Sequence, residues 1–145
     1  MTIQYAVAKE LYDLGFTYHF YEERIHTGMV FHDGEIEFTI GGNSEDPITQ
    51  EDRDRIKRSI WLPSEYHLME WLKENDFCFG IVCQNGIYEV QCVDLFTKRE
   101  YKTEFPMLDF ALAKTIMKIL KKKERQFDYY RREVISLIHE NFSEE

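Results

Sequence analysis

The sequence predicts an α+β fold in which two units, each a helix followed by three strands, form antiparallel sheet ahead of a C-terminal helical segment. Helical amphipathic periodicity occurs twice, each time followed directly by an aromatic-rich alternating stretch. Asp33-Gly34 and Asn85-Gly86 are dipeptides typical of tight turns between antiparallel strands. From residue 107 to 142 there is no glycine or proline, and apolar residues keep helical spacing.

Length and composition indicate one folded domain. The chain has 145 residues, the usual size of a domain with a single core. Apolar residues make up 43% of it and there are only 7 glycines and 3 prolines, so most of the chain is expected in regular structure. We therefore predict one domain over residues 1–145, with units at about 2–41 and 62–105 and the helical segment at about 107–142.

The first unit begins with a helix predicted over residues 3–14. Thr2 is a suitable N-cap, and Gly15 is a suitable stop because glycine readily adopts the left-handed conformation. The apolar residues at helical spacing are Ile3, Val7, Leu11 and Leu14.

Three strands are predicted after this helix, over residues 16–24, 25–32 and 35–40. Each has alternating apolar or aromatic positions. Asp33-Gly34 is expected to form a two-residue turn between the second and third strands. The side chains expected to face inward in the third strand are Ile36, Phe38 and Ile40.

Two helices are predicted next. Thr49, with Asp52 three residues later, resembles a capping box for a short polar helix over about 50–59. Ser64 is a good N-cap for the amphipathic helix of the second unit, and Asn75 is expected to end that helix in the left-handed conformation. The apolar face of this helix comprises Leu68, Met69, Trp71 and Leu72.

The second unit continues with strands predicted over residues 77–83, 87–94 and 100–105. Asn85-Gly86 is the clearest two-residue hairpin turn in the chain. In the helical segment that follows we predict a break or bend near residues 121–128, because a helix longer than about 25 residues is unusual in a small domain.

No catalytic, cofactor or metal signature is present in the sequence. Cys78, Cys83 and Cys92 form no CxxC pair and have no histidine at zinc-ligand spacing, so reduced thiols in the core are expected. The alternative is an enzyme whose site is not visible in the sequence. Such a site would gather Cys83 with His67 or His32 in a concave pocket.

Hydropathy and charge bear on location and partners. No apolar run approaches the roughly 20 residues of a membrane span and no signal peptide is evident, so we expect a cytoplasmic protein without membrane contact. The net charge of -9 disfavours general attraction to nucleic acid. Basic residues nevertheless cluster late in the chain, and nucleic-acid binding there is an alternative. The candidate residues are Lys121, Lys122, Lys123, Arg125, Arg131 and Arg132.

The end of the helical segment carries an apolar stripe flanked by charges of both signs. If this stripe does not fold back on its own domain, it predicts a homodimer. Packing on its own domain is the alternative. The stripe residues are Phe127, Tyr130, Val134, Leu137 and Ile138.

Three short segments resemble small uncharacterised proteins of phages and prophages of Gram-positive bacteria. The first runs from Ala8-Lys9-Glu10-Leu11 to Gly15-Phe16. The second is Leu62-Pro63-Ser64 with Leu68 and Trp71-Leu72, and the third is Ala111-Leu112-Ala113-Lys114. The resemblance covers about a third of the chain and implies a small accessory role in a mobile element or its host. It implies no catalytic residue.

We therefore expect a non-enzymatic module that interacts with another protein. The absence of catalytic signatures supports this, as does an acidic chain rich in aromatic residues, because aromatic side chains are enriched in protein interfaces. The sequence does not identify the partner.

Overall fold

A computed structural model of the chain describes residues 2–16, 28–41 and 48–124. These residues form an α+β fold of four helices and two three-stranded antiparallel sheets, which confirms the predicted fold class. The elements are α1 (Tyr5–Asp13), β1 (Val30–His32), β2 (Glu37–Thr39), α2 (Gln50–Ile56), β3 (Ile60–Trp61), α3 (Glu65–Glu74), β4 (Phe77–Gln84), β5 (Ile87–Asp94), β6 (Glu100–Phe105) and α4 (Leu108–Lys122).

Gly15 lies just beyond the end of α1 and stops the helix, as predicted. This glycine is left-handed with a φ of 102°, and its N–H donates to the Tyr12 carbonyl while the Phe16 N–H donates to the Leu11 carbonyl. The two hydrogen bonds form a Schellman motif, which also brings the buried side chains of Phe16 and Leu11 to the same end of the helix.

The prediction that Thr2 caps helix α1 is wrong. Gln4 is the N-cap residue and makes no side-chain capping bond. Thr2 instead forms a β-bridge with Ser64, and the Ile3 N–H donates to the Pro63 carbonyl. The pairing of the first residues with a distant segment therefore overrides the local capping preference.

The first sheet has the strand order β2-β1-β3. The prediction of a two-residue turn at Asp33-Gly34 is wrong, because residues 33–36 all lie in the connection between β1 and β2. The Asp33 carboxylate accepts hydrogen bonds from the N–H groups of Glu35 and Ile36, and this favours the longer turn. Ile36 lies in that turn and is 57% exposed, so its predicted inward position is also wrong.

The third strand of this sheet, β3, is absent from the sequence prediction. Its two residues pair with β1, with Trp61 opposite Phe31. A two-residue strand is too short to produce an alternating pattern. The strand predicted over residues 16–24 lies mostly outside the described residues.

The predicted N-caps of the two middle helices are confirmed. Thr49 Oγ1 accepts a hydrogen bond from the Asp52 N–H at 3.1 Å. Ser64 caps α3, and its Oγ accepts from the N–H of His67 at 3.4 Å. The side chain of His67 completes this capping box in the position where glutamate or glutamine is usual.

The end of α3 differs from the prediction by one residue. Asp76 is left-handed, with a φ of 63°, whereas Asn75 has a φ of -99°. The buried side-chain amide of Asn75 donates to the Trp71 carbonyl at 2.9 Å. Asn75 therefore contributes a hydrogen bond to a carbonyl of the last helical turn and does not adopt the left-handed conformation.

The second sheet has the order β4-β5-β6 and contains the predicted hairpin. Asn85 and Gly86 have φ values of 57° and 75°, which match the type I′ turn that joins strands directly. One face of the sheet packs on α3 and α4, with Val90, Cys92 and Tyr101 buried, and the other face is open among the described residues.

Helix α4 ends at Lys122, and Lys123 is left-handed with a φ of 52°. The helix thus ends within the range 121–128 in which a break or bend is predicted, and the rest of the predicted helical segment lies outside the described residues. The buried residues of α1, α3, α4 and both sheets belong to one hydrophobic cluster. Among the described helices, none is both long and apolar enough to cross a membrane.

Candidate functional site

The basic segment proposed for nucleic-acid binding is described only in part. Lys121, Lys122 and Lys123 lie at the C-terminal end of α4, where cations are favoured by the helix dipole. The ammonium group of Lys121 lies 4.0 Å from the Glu10 carboxylate of α1. These lysines therefore have structural explanations. Arg125, Arg131 and Arg132 lie outside the described residues, as do the five stripe residues Phe127, Tyr130, Val134, Leu137 and Ile138.

The residues of the enzyme alternative have separate structural surroundings. Cys83 is exposed in β4, next to the hairpin turn. His32 of β1 stacks on Tyr5, with 3.9 Å between ring centroids. His67 Nδ1 accepts a hydrogen bond from the Ser64 N–H at 3.1 Å. None of the cavities found among the described residues is lined by Cys83 together with either histidine.

The prediction of core thiols holds only for Cys92. Its side chain is buried, and burial raises the pKa of the thiol to about 12, with smaller contributions from Asp94 and Cys78. Cys78 and Cys83 are exposed, so the prediction is wrong for these two residues. Both lie in a strand at the edge of the sheet, which periodicity alone does not reveal. In the described part of the chain, no three His, Cys, Asp or Glu side chains form a potential metal site.

A groove between strand β6 and helix α4 is the strongest candidate for a binding site. It has a volume of about 470 Å³ and opens to solvent. The strand contributes Lys102, Thr103, Glu104 and Phe105, and the helix contributes Phe110, Lys114 and Lys118. This places two aromatic rings and three ammonium groups along one depression.

The aromatic part of the groove is formed by Phe105 and Phe110. Their rings stack with centroids 4.1 Å apart and an interplanar angle of 28°, and both side chains are half-buried. The ammonium group of Lys114 lies 5.3 Å from the centroid of the Phe110 ring. The ring pair therefore offers a partly exposed apolar surface beside a positive charge.

The three lysines of the groove differ in their electrostatic surroundings. Lys102 lies 3.0 Å from a Glu89 carboxylate oxygen and 3.4 Å from one of Glu104. Its pKa is raised, chiefly by the hydrogen bond to Glu89. Among the described residues, no carboxylate lies within salt-bridge distance of Lys114 or Lys118. Within the described ranges, these two lysines therefore have no carboxylate partner, although the chain has a net charge of -9.

Strand β6 also presents backbone groups to the groove. The Asp94 N–H donates to the Arg99 carbonyl, so these two residues form a hydrogen-bonded pair. In an antiparallel ladder every second pair is hydrogen-bonded, and the peptide groups of Lys102 and Glu104 therefore point away from β5. Lys118 confirms the direction, because its ammonium group donates to the Lys102 carbonyl at 2.6 Å. An incoming chain would meet these backbone groups at the edge of the sheet.

Thr103 adds one buried polar atom to the groove. Its side chain is 7% exposed, and Oγ1 has no hydrogen-bond partner within the described parts of the chain. A buried hydroxyl is usually hydrogen-bonded, so a polar ligand group or a water would satisfy it.

Sequence analysis did not identify this groove as a site. It did predict β6 and the helical periodicity of α4, and the alternation of β6 places Lys102 and Glu104 on the face opposite Tyr101 and Thr103. Which strand lies beside the exposed lysines of α4 is a tertiary property that no local pattern encodes.

Comparisons with models of protein families, with curated proteins and with solved structures find no significant match for this chain.

Proposed function

We propose that the protein is a non-enzymatic interaction module that binds an extended acidic segment of a partner protein in the groove between β6 and α4. One observation carries the proposal: an open strand edge lies beside Lys114 and Lys118, two lysines without a carboxylate partner among the described residues. The resemblance of three segments to phage and prophage proteins supports an accessory role of this kind.

The groove suits binding by strand addition. A partner segment aligned with β6 would hydrogen-bond the outward backbone of Lys102 and Glu104, which is the general mode by which extended peptides join a sheet edge. Lys118 would then leave the Lys102 carbonyl and pair with a carboxylate of the segment. An apolar side chain at an alternate position would pack on the rings of Phe105 and Phe110.

An acidic protein segment fits the groove better than a nucleic acid does. The outward peptide groups of β6 match the hydrogen-bonding spacing of another strand, which a sugar-phosphate backbone lacks. Nucleic-acid binding is therefore the competing outcome of the test.

The test uses a fluorescently labelled octapeptide of alternating glutamate and valine. We expect the peptide to shift the NMR amide resonances of β6 and α4 of the protein. We expect the fluorescence anisotropy of the peptide to rise when the protein is added. In the double variant Lys114→Glu and Lys118→Glu, affinity should fall by about tenfold or more, since each lost charge contact is worth up to about 1 kcal/mol. The matched control, Lys9→Glu with Lys57→Glu, makes the same change in net charge away from the groove and should bind normally.

Two further probes separate the possible ligands. The same peptide N-methylated at every residue keeps its charges but has no backbone N–H to donate to β6, and it should bind at least tenfold more weakly. A labelled oligothymidine should not bind. The proposal is overturned if oligothymidine binds more tightly than the peptide, if N-methylation has no effect, or if both double variants lose affinity equally.

A further inference from the structure

Strand β4 forms the other edge of the second sheet. Its eight residues, Phe77–Gln84, include no charged residue and no proline. In the part of the chain that the structure describes, β4 pairs with β5 and with no other strand. An edge of this length without charge, proline or bulge lacks the features by which proteins usually prevent strand pairing.

The backbone of β4 alternates between β5 and the open edge. Gln84 and Ile87 flank the two-residue turn, and residues in that position form a hydrogen-bonded pair. Alternation from this pair directs Gly80 and Val82 toward β5. The residues whose peptide groups point away from β5 include Phe79, Ile81 and Cys83.

The outer face of β4 has both an exposed apolar side chain and an empty position. Val82 is 52% exposed, although valine is a residue that strands usually pack. Two residues earlier, a Cβ atom built on Gly80 would have no heavy atom within 4 Å. Glycine in a strand interior often marks a place where another backbone approaches closely.

We propose that β4 pairs antiparallel with β4 of a second copy of this chain, about a two-fold axis at Ile81. This register places Ile81 opposite its own copy and Phe79 opposite the copy's Cys83, so that outward peptide groups bond each other. It also places Val82 over the open space at Gly80 of the copy. Side chains on the face that packs on α3 and α4 lie beside side chains of the same face in the copy. The two sheets therefore become one six-stranded sheet with continuous faces.

A second copy suits this edge because the strand carries no charge. The chain has a net charge of -9, and most surfaces brought together with their own copy would place like charges in contact. Pairing through β4 avoids this, because the strand contains no aspartate, glutamate, lysine or arginine. The interface is isologous and closes as a dimer without leaving β4 open.

Light scattering on the full-length protein at high micromolar concentration tests the dimer. We expect the mass of a dimer for the intact chain and the mass of a monomer for Val82→Lys, because a lysine on an edge strand opposes strand pairing and the two-fold axis would bring the lysines of both copies to neighbouring diagonal positions on one face. Ile87→Lys is the matched control. Ile87 is 43% exposed on the same face but lies in β5, so this variant should stay dimeric.

Disulfide trapping tests the register. The axis at Ile81 places Cys78 opposite Gln84 of the copy, in a non-hydrogen-bonded pair whose Cα atoms lie about 4.5 Å apart. With Cys83→Ser present, Gln84→Cys should give a covalent dimer on mild oxidation by diamide, and Gln91→Cys should give none. A monomeric intact chain, a Val82→Lys variant that remains dimeric, or crosslinking at both positions alike would overturn the proposal.

Discussion

The two edges of the second sheet differ in charge and in what lies beside them, two properties that control strand pairing. The β6 edge alternates charged with uncharged side chains, lies beside Lys114 and Lys118 of α4, and has one outward carbonyl bound by Lys118. The β4 edge has no charge and no described element along it. The comparison shows that one small sheet can have two edges of different chemistry, one with charged side chains beside the lysines of α4 and one without charged side chains.

This difference has a physical consequence for binding. A ligand at β6 must replace the hydrogen bond from Lys118, and it recovers that energy only if it supplies an anionic acceptor. A strand at β4 displaces only water and gains backbone hydrogen bonds together with apolar contact. Binding at β6 should therefore weaken with added salt, whereas association through β4 should change little.

A substitution in the core of α4 should destabilise the β6 edge more than the β4 edge. Ile116 lies in α4 and is fully buried, so Ile116→Ala should lower the free energy of unfolding by about 2–5 kcal/mol. Urea denaturation measures the loss, and hydrogen exchange should show greater deprotection of β6 than of β4. The control Lys121→Ala changes an exposed residue of the same helix and should stay within about 0.5 kcal/mol of the wild type. A loss below about 1 kcal/mol for Ile116→Ala would contradict the packing described.

A second prediction distinguishes two glycines of the β4–β5 hairpin. Gly86 has a φ of 75°, so Gly86→Ala should cost about 1–2 kcal/mol by forcing a residue with a Cβ atom into the left-handed region. Gly80→Ala meets no atom within 4 Å and should leave the unfolding free energy of the monomer nearly unchanged. Thermal or urea unfolding at low protein concentration measures both. Equal losses for the two variants would show that the turn conformation is not the cause.

A smaller effect is expected on the pH dependence of stability, because ionised carboxylates lie around β6 and none lies in β4. Around β6, the pKa of Glu89 is lowered by hydrogen bonds from Gln91 and then Lys102, and that of Glu124 by Arg99. Carboxylates with a lowered folded-state pKa stabilise the fold above the ordinary value of 4.5, and this contribution is lost as pH falls below it.

Urea unfolding between pH 7 and pH 3 checks this prediction. The stability difference between the wild type and the double variant Glu89→Gln and Glu124→Gln should be constant above about pH 5 and shrink below about pH 4.5. Strand β4 contains no carboxylate, so the proposed dimer mass should not change between pH 7 and pH 5. A difference that grows on acidification would contradict the assignment of these ion pairs.

Two dipeptides of similar sequence show how far local patterns could be trusted. Asn85-Gly86 forms the predicted two-residue turn because both residues adopt positive φ and the long strands on each side keep the register. Asp33-Gly34 does not, because the Asp33 carboxylate is held by the N–H groups of Ile36 and Glu35 and also by the guanidinium of Arg55 at 2.8 Å. The hydrogen bond to Ile36 and the contact with Arg55 also hold the pKa of Asp33 well below its usual range.

Features that depend on neighbours within a few residues could be predicted from the sequence. These were the α+β class, the helix stop at Gly15, the caps at Thr49 and Ser64, the Asn85-Gly86 turn and the strands of the second sheet. Each follows from periodicity or from backbone hydrogen bonds that a nearby side chain can satisfy.

Features that join distant segments could not be predicted from the sequence and were found in the folded structure. Pairing of Thr2 with Ser64 and of β1 with β3 spans many residues, as does the placement of Lys114 and Lys118 beside β6. Which strands became edges, and therefore which cysteines are exposed, was likewise set by sheet order. The physical reason is that these contacts depend on the burial of a common core, whose energy is shared among segments and leaves no local pattern in any one of them.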